Sequence, residues 1–363
     1  MEYSFPDIVL VSDDPSRSKH LGRILEPWFQ IHDVLPEEAG SLNLPAKSIF
    51  VISANLENAA TLRSIRQLLT TYDRPSIFVF ATFNSSAMAK AKDAQATECF
   101  VWPFNAGDFI GTVRNALSMR VEESWKSLDP LQADALASCA TTMRTCFSQC
   151  RNGQDLPLDA VRDTTEKIAA AAGDTPLETW LGSIEHYHDY TFTHCMFVCF
   201  TIVAFGESIG IKNGELAHLT LGALLHDIGK SRVPIAILDK PAKLDADEWR
   251  IMKQHPEFSR QILAAEQGLE KDTVDMAVHH HEKLDGTGYP DGLKGADISD
   301  VVRLTAIADV YSALVDKRSY KPGFPPQKAL DIMSDMKGGL DQDFVKTFAE
   351  FIMSTSKPVR MAG

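Results

Sequence analysis

The chain has little cysteine and no surplus of positive charge, and each lack excludes a class of protein. Six of its 363 residues are cysteines, and their spacing shows no paired framework, so a disulfide-stapled secreted fold is excluded. The formal net charge is −13 and the pI is near 5.3. Such an acidic chain lacks the general basic surface that polymeric nucleic acid or an anionic membrane requires. A local basic pocket for a small anion is compatible with this charge.

Long apolar runs are also lacking. No segment approaches the ~20 apolar residues of a membrane span, and the N-terminus MEYSFPDIVLVSDD has no basic region followed by a long apolar run. We therefore expect a cytoplasmic protein without membrane insertion. Two cysteine pairs with a spacing of four, Cys146/Cys150 and Cys195/Cys199, could ligate a metal or serve as small apolar residues on helix faces. We favour the second interpretation.

Residues 1–120 alternate short apolar runs with amphipathic stretches. The apolar runs DIVLVS, SIFVIS, SIFVFAT and ECFVW predict buried parallel strands. The amphipathic stretches SRSKHLGRILEPWF, ATLRSIRQLLTTY and AGDFIGTVRNALSMR predict helices between and after those strands. This alternation predicts a doubly wound α/β domain.

The same segment resembles bacterial response-regulator receiver domains, although its motifs are degenerate. Asp13 and Asp14 follow the first strand, where such domains hold Mg²⁺, and a helix N-cap is an equally open interpretation of the pair. Ser53 or a neighbour stands where a phosphate-accepting aspartate is expected, and Trp102 replaces the lysine before Pro103. Phosphoryl transfer needs a carboxylate nucleophile. We therefore expect a receiver-like domain that mediates contacts and is not phosphorylated.

The rest of the chain has helical spacing. Residues 121–154 predict a helical linker, and Gly and Pro in RNGQDLPLD punctuate its end. In residues 155–363 nearly every apolar run recurs with the period of a helix, so this part predicts an all-α domain. The predicted architecture is thus a two-domain chain, α/β followed by all-α.

Histidines and aspartates recur against the apolar helices of this second part. The pair His226 and Asp227 ends an apolar helix, and Asp309 lies within another, where an unpaired carboxylate would be costly to bury. In the stretch HHHEKLDGTGYP only two neighbouring histidines can converge on one centre, because successive helical residues are about 100° apart. Mixed imidazole and carboxylate ligands of this number predict two metal ions.

The order of these motifs resembles the HD-GYP family of HD phosphohydrolases over about residues 155 to 350. The resemblance rests on HDIGK from His226, HP at His255, HHE from His280 and DGTGYP ending at Pro290. It implies an all-helical fold, a non-haem binuclear metal centre and phosphodiesterase action on cyclic di-GMP. It implies these metal ligands: His194, His226, Asp227, His255, His280, His281 and Asp309.

Further roles follow from the resemblance. Asp227 and Lys230 are expected to be catalytic. The substrate is expected to contact Lys230, Gly288, Tyr289, Pro290, Arg318 and Lys321. Glu282 is expected to orient a neighbouring histidine, with His279 left outside the centre. The ions are expected to be iron, with manganese as the second choice.

Three positions depart from the family pattern. Tyr190 stands where members with a third metal have glutamate, so we expect two ions. Ser312 and Ser319 replace residues of the family motifs DAL and RPY, and the first change removes a carboxylate near the centre. Substitution of a residue that hydrogen-bonds to a metal ligand commonly changes metal affinity or activity by about 10- to 100-fold.

The leading hypothesis is hydrolysis of cyclic di-GMP by a hydroxide that two metal ions activate. One alternative is a weak or inactive cyclic di-GMP sensor or protein-interaction module in bacterial signalling, and another is a phosphohydrolase of a different nucleotide. Protein partners are expected at the receiver-like domain or the GYP loop.

Overall fold

The computed structural model forms two compact units. The sheet unit comprises the chain up to Glu123 together with Tyr187, and the helical unit begins at Ser124. The residues described are 7–39, 48–173, 175–184, 187, 190–238, 240, 242–316 and 323–355.

Five parallel strands form the sheet, in the order β2-β1-β3-β4-β5. The strands are β1 Asp7–Ser12, β2 Gln30–Val34, β3 Ile49–Ser53, β4 Ser76–Phe80 and β5 Glu98–Val101. The helices of this part are α1 Pro15–Leu25, α2 Ala59–Tyr72, α3 Ser85–Asp93 and α4 Ala106–Trp125. A helix follows each of β1, β3, β4 and β5 among the described residues, in agreement with the predicted α/β fold.

Each face of the sheet packs on its own core. Val9 and Val11 point to one cluster, which includes Phe50 and Ile65, whereas Leu10 and its alternate neighbours point to the other. Successive strand residues face opposite sides, so a strand buried on both faces must be apolar throughout. β1, β3 and β4 meet this requirement, and their burial confirms the strands predicted from these runs.

The carboxylates after β1 have protein partners. Asp14 is the N-cap of α1 and accepts the backbone N–H groups of Ser16 and Arg17, which lower the pKa of its carboxyl. Asp13 accepts the N–H of Asn55 at 2.7 Å and pairs with Arg17 at 3.1 Å. The N-cap interpretation of Asp14 is therefore confirmed.

The helical unit contains twelve α-helices in the part of the chain that is described. They are α5 Pro130–Arg151, α6 Leu158–Ala172, α7 Leu177–Ile184, α8 Tyr190–Ser208, α9 Asn213–Leu225, α10 Ile235–Leu238, α11 Ala246–Met252, α12 His255–Leu263, α13 Lys271–His279, α14 Asp300–Val315, α15 Pro326–Asp335 and α16 Gln342–Thr355. A 3-10 helix, Ile228–Arg232, follows α9. The structure includes α5 in this unit, although the sequence predicted all of it as part of a linker.

Within the described residues, α8 contains one window, Thr191–Ser208, that by length and composition could cross a membrane. The expectation that no segment approaches a membrane span was therefore wrong by this measure. Of that window, 72% is buried inside the structure, and a core helix passes the same test. Cys195 and Cys199 are fully buried on α8, as the apolar interpretation of this pair predicts.

Candidate metal centre

The predicted ligands lie on six elements of the helical unit and converge in its interior. His194 lies on α8 and Asp309 on α14, while His226 and His280 are the C-cap residues of α9 and α13. Asp227 directly precedes the 3-10 helix. His255 begins α12, and Pro256 follows it in the first helical turn, where proline is tolerated.

Side-chain nitrogen and oxygen atoms of these residues form two groups. The first contains His194, His226 and Asp227, and the second contains His255, His280 and His281. In each group one ligand atom per residue lies within 4.8 Å of the others. Two groups of three ligands fit the two ions expected from the sequence.

Asp227 lies between the two groups. Its Oδ2 is 3.4 Å from Nε2 of His194 and 3.3 Å from Nε2 of His226. Its Oδ1 is 3.2 Å from Nε2 of His255 and 3.7 Å from Nε2 of His280. Each oxygen therefore faces a different group, the arrangement that a bridging carboxylate needs.

Asp309 spans the groups on a second side. Its Oδ1 is 3.0 Å from Nε2 of His194, and its Oδ2 is 3.7 Å from Nδ1 of His281. Asp309 therefore contacts a histidine of each group, as Asp227 does.

Hydrogen bonds to the backbone fix three of the imidazoles. Nδ1 of His226 lies 2.7 Å from the carbonyl of Ala223, and Nδ1 of His255 lies 2.8 Å from that of Met252. Nδ1 of His280 lies 3.1 Å from another carbonyl, that of Met276. A carbonyl only accepts, so each Nδ1 carries a proton, and Nε2 is the ring nitrogen that faces the other ligands.

The Nε2 atoms of these rings and of His194 lie close to one another across the site. Nε2 of His226 lies 3.4 Å from Nε2 of His194, and Nε2 of His255 lies 3.4 Å from that of His280. Nitrogen atoms at this spacing can bind a common cation, and Oδ1 of Asp227 has no hydrogen-bond donor among the described residues. The donor set thus fits divalent transition metals, which bind neutral imidazole and carboxylate.

Burial and charge set the protonation of the cluster. Burial lowers the pKa of His255 to about 3 and that of His281 to about 4. It also lowers the pKa of His280, so these three rings are neutral at pH 7. Burial alone would raise the pKa of Asp309, but the hydrogen bond and charge of His194 hold it well below its usual value.

Lys230 lies within the same cluster and contacts Oδ2 of Asp227. Burial alone would lower the pKa of Lys230, but the charge and hydrogen bond of Asp227 raise it, so the side chain stays a cation. The 3-10 turn brings the two together because they are three residues apart. The site therefore contains a fixed positive charge beside the carboxylate that joins the groups.

Ser312 is the described partner of the fourth ring. Its hydroxyl lies 3.1 Å from Nδ1 of His194, and the serine is fully buried. The two residues lie on α14 and α8, which pack together. A hydroxyl thus occupies a position beside the histidine where the family pattern has a carboxylate.

The glycine of the HDIGK segment permits a close contact. A Cβ at Gly229 would lie 1.9 Å from the carbonyl oxygen of His255, and the Gly229 N–H donates to Oγ of Ser259 at 2.9 Å. The 3-10 helix and the first turn of α12 therefore meet without an intervening side chain. This contact sets the distance between Asp227 and His255.

The GYP loop lies against the second histidine group. The Tyr289 ring stacks on that of His281, with centroids 4.8 Å apart, and a Cβ at Gly288 would lie 2.6 Å from the His281 carbonyl oxygen. The Tyr289–Pro290 peptide bond is cis.

Glu282 anchors the continuation of this loop. Its Oε1 accepts the N–H groups of Asp291 and Gly292, at 2.7 and 2.9 Å. Its Oε2 has no hydrogen-bond partner among the described residues. The carboxylate thus holds the loop and not a histidine ring, so the expected orienting role was wrong.

The remaining predicted residues lie apart from the centre or outside the description. His279 is outside both groups and contacts Asp291 at 2.9 Å. Arg318, Ser319 and Lys321 lie outside the described residues, as does the side chain of Tyr190. Sequence reasoning missed Lys253, which lies over the rings of Trp249 and Tyr289, because the spacing of these residues carries no motif.

Comparison with known proteins agrees with this geometry. The family model described as HD domain matches residues 201–344. An HDG"Y"P protein from Bdellovibrio bacteriovorus aligns with a TM-score of 0.50 and 19% identity over 68% of this chain and 81% of its own, and so shows the fold alone. Residues 201–344 are therefore similar to HD domains.

Curated relatives of the chain have named activities. A cyclic di-GMP phosphodiesterase from Pseudomonas aeruginosa is 32% identical over 57% of this chain and 50% of its own length. The 3'3'-cGAMP-specific phosphodiesterase 3 from Vibrio cholerae is 42% identical over 40% of this chain and 32% of its own. The cyclic di-GMP phosphodiesterase response regulator RpfG from Xanthomonas campestris is 25% identical over 92% of this chain and 84% of its own length. The chain therefore spans half or less of the first two relatives.

Proposed function

We propose that the chain is a metal-dependent phosphodiesterase that hydrolyses cyclic di-GMP. The observation that carries this proposal is the convergence of six predicted ligands into two groups of three, with Asp227 facing both and Lys230 beside it. Two closely spaced divalent ions, when bound, activate water and neutralise charge on a phosphate. The names of the Pseudomonas and Xanthomonas relatives support the substrate.

The chain's own residues have distinct tasks in this proposal. His194, His226, His255, His280 and His281 hold the ions with Asp227 and Asp309. The ammonium of Lys230 neutralises charge that grows on the attacked phosphate, because it is a fixed cation in a buried site. The Tyr289 ring covers His281 and helps to exclude water from that side. Arg318 and Lys321 are proposed to hold the nucleotide phosphates.

The ions are proposed to be iron, with manganese as the second choice. The described ligand groups contain imidazole and carboxylate without cysteine, whereas structural zinc sites are typically cysteine-rich. The expected result of elemental analysis on anaerobically purified protein is two ions per chain. One ion or none would contradict the two-ion arrangement.

Activity is tested by chromatography of cyclic di-GMP incubated with the reduced, metal-loaded protein. Lys230→Ala should lower kcat with the metal content unchanged, because its charge matters most in the transition state. Arg318→Ala should chiefly raise KM, by about 10-fold or more if it makes a charge-assisted phosphate contact. Loss of metal from Lys230→Ala would contradict the separation of these roles.

A second candidate substrate is 3'3'-cGAMP, because the Vibrio relatives specific for it reach 42% identity. A third candidate is a non-catalytic sensor, which Ser312 favours because it replaces a carboxylate beside His194. Binding of cyclic di-GMP without cleavage over hours, with both ions loaded, would favour the sensor. Faster turnover of 3'3'-cGAMP would favour the second substrate.

A cytoplasmic location, with protein partners at the receiver-like domain or the GYP loop, belongs to the same proposal.

A further inference from the structure

Beside His281 three side chains form a cationic and aromatic surface, which we call the aromatic rim: Trp249, Lys253 and Tyr289. The Lys253 ammonium lies 5.3 Å from the centroid of the Tyr289 ring and 5.9 Å from that of Trp249. The Tyr289 ring in turn stacks on His281 of the second ligand group. The rim therefore extends the metal centre toward solvent in an unbroken series of contacts.

Lys253 differs from the other cations of this region in its partners. Lys240 pairs with Glu248, and Arg260 pairs with Glu257 and Asp291. For Lys253 the described residues provide ring faces and no carboxylate. A cation over aromatic faces retains its capacity to pair with an anion, and a phosphate at the adjacent centre would supply one.

Trp249 offers an open ring face at the outer end of the rim. Its side chain is 49% exposed, whereas Trp125 and Trp180 are buried. It lies on α11, where Asp245 and Glu248 form a capping box that fixes the first turn. The ring is thus presented on an ordered helix, and exposed aromatic rings of this kind stack on nucleobases, which all have a π-face.

We propose that the aromatic rim is a nucleotide subsite, in which Trp249 stacks on a purine base and Lys253 pairs with a phosphate of a cyclic dinucleotide. This inference rests on the proposed function and adds the residues that hold the part of the substrate away from the reacting phosphate. Because the rim binds parts that do not react, its loss should raise KM and leave kcat little changed.

The test uses the full-length, metal-loaded protein and a non-hydrolysable phosphorothioate analogue of cyclic di-GMP. Binding should quench tryptophan fluorescence, and Trp249→Phe should remove most of the quenching while retaining affinity within a few-fold. Trp249→Ala should weaken binding by about 5- to 150-fold, the range of one base stack. Lys253→Ala should weaken it by about 10-fold and reduce its salt dependence, which Trp249→Ala should not.

Matched controls are Phe83→Ala, which removes an exposed ring from the sheet unit, and Lys271→Ala, which removes an exposed lysine paired with Asp275. Both should bind as the wild type does. If the wild type cleaves cyclic di-GMP while Trp249→Ala and Lys253→Ala keep its KM and affinity, the rim is wrong and the proposed function stands. If the wild type binds neither cyclic di-GMP, 3'3'-cGAMP nor the phosphorothioate analogue, both proposals fail.

Discussion

The hydroxyl of Ser312 affects how well His194 can bind a metal ion. Its contact with Nδ1 of His194 fixes the ring so that Nε2 faces Asp309 and Asp227. Groups that orient a metal ligand in this way commonly change metal affinity by about 10- to 100-fold. The hydroxyl therefore acts through His194 and is a positioning residue.

Ser312→Ala should weaken binding of the first metal ion by about 10-fold or more, because the ring of His194 loses its described partner. Ser312→Thr retains a hydroxyl and should restore part of the affinity. The matched control is Thr201→Ala, which removes another fully buried hydroxyl that has no partner among the described residues. Metal competition titrations measure all three variants. Equal affinity of Ser312→Ala and the wild type would remove the positioning role.

At the scale of elements, the loops after β1 and β3 determine whether the sheet unit can accept phosphate. Ser53 ends β3 and is 1% exposed, and its carbonyl accepts the hydroxyl of Ser12 at 2.9 Å. Asp13 and Asp14 both pair with Arg17. The strand that should present a carboxylate nucleophile therefore presents a buried serine.

We expect the protein to take no phosphoryl group from acetyl phosphate and to show no response to beryllofluoride, because phosphoryl transfer needs that carboxylate. Intact-mass spectrometry measures the first outcome, with an unaltered response-regulator receiver domain as the positive control. A gain of one phosphoryl group mapped to residues 50–58 would contradict the expectation.

The elements also show how far the sequence predicts this fold. The buried strands β1, β3 and β4 and the long helices were predicted because their apolar periodicity is strong. The strand β2 was missed because QIHDV lies at the sheet edge and is mostly half-buried or exposed. The short helix α3 was missed because SSAMAKAKD buries only two alanines.

The site residues that belong to sequence motifs could be predicted. The contacts between residues that are distant in the chain could not. The order of histidines and aspartates, together with the family resemblance, predicted the ligands that the structure brings together. The position of Asp309 between the groups depends on how α8 and α14 pack, and the sequence does not encode that locally. The contact of Lys253 with Tyr289 joins residues far apart in the chain and was missed for the same reason.

At the scale of the whole molecule, the neutral histidines connect the metal centre to stability. In the metal-free protein the pKa of His255 is about 3 and that of His281 about 4, against about 6.5 in an unfolded chain. The unfolded state therefore binds more protons between these values, and folding stability is lost as the pH falls from 6.5 toward 4. The raised pKa of His226 changes stability with pH in the opposite direction. Only this one histidine opposes the three whose pKa is lowered, His255, His280 and His281.

We expect the chelated protein to lose about 1.4 kcal/mol of unfolding free energy per pH unit for each such histidine in this window. Urea unfolding followed by circular dichroism, at pH 7.5 and pH 5.5, measures the loss. The double variant His255→Gln/His281→Gln should show a smaller pH dependence. The same slope in that variant and in the wild type would contradict the assignment.

The absent side chain of Gly229 has a consequence for how the centre opens. The Gly229 N–H donates a hydrogen bond to Ser259. The 3-10 helix cannot shift along α12 at this point, because Gly229 lies in close contact with the His255 carbonyl. Exchange of the Gly229 amide hydrogen with solvent therefore requires α12 to separate from the 3-10 helix, which also separates His255 from Asp227. Hydrogen exchange at the Gly229 amide should therefore report on metal release, because both events need the same local unfolding.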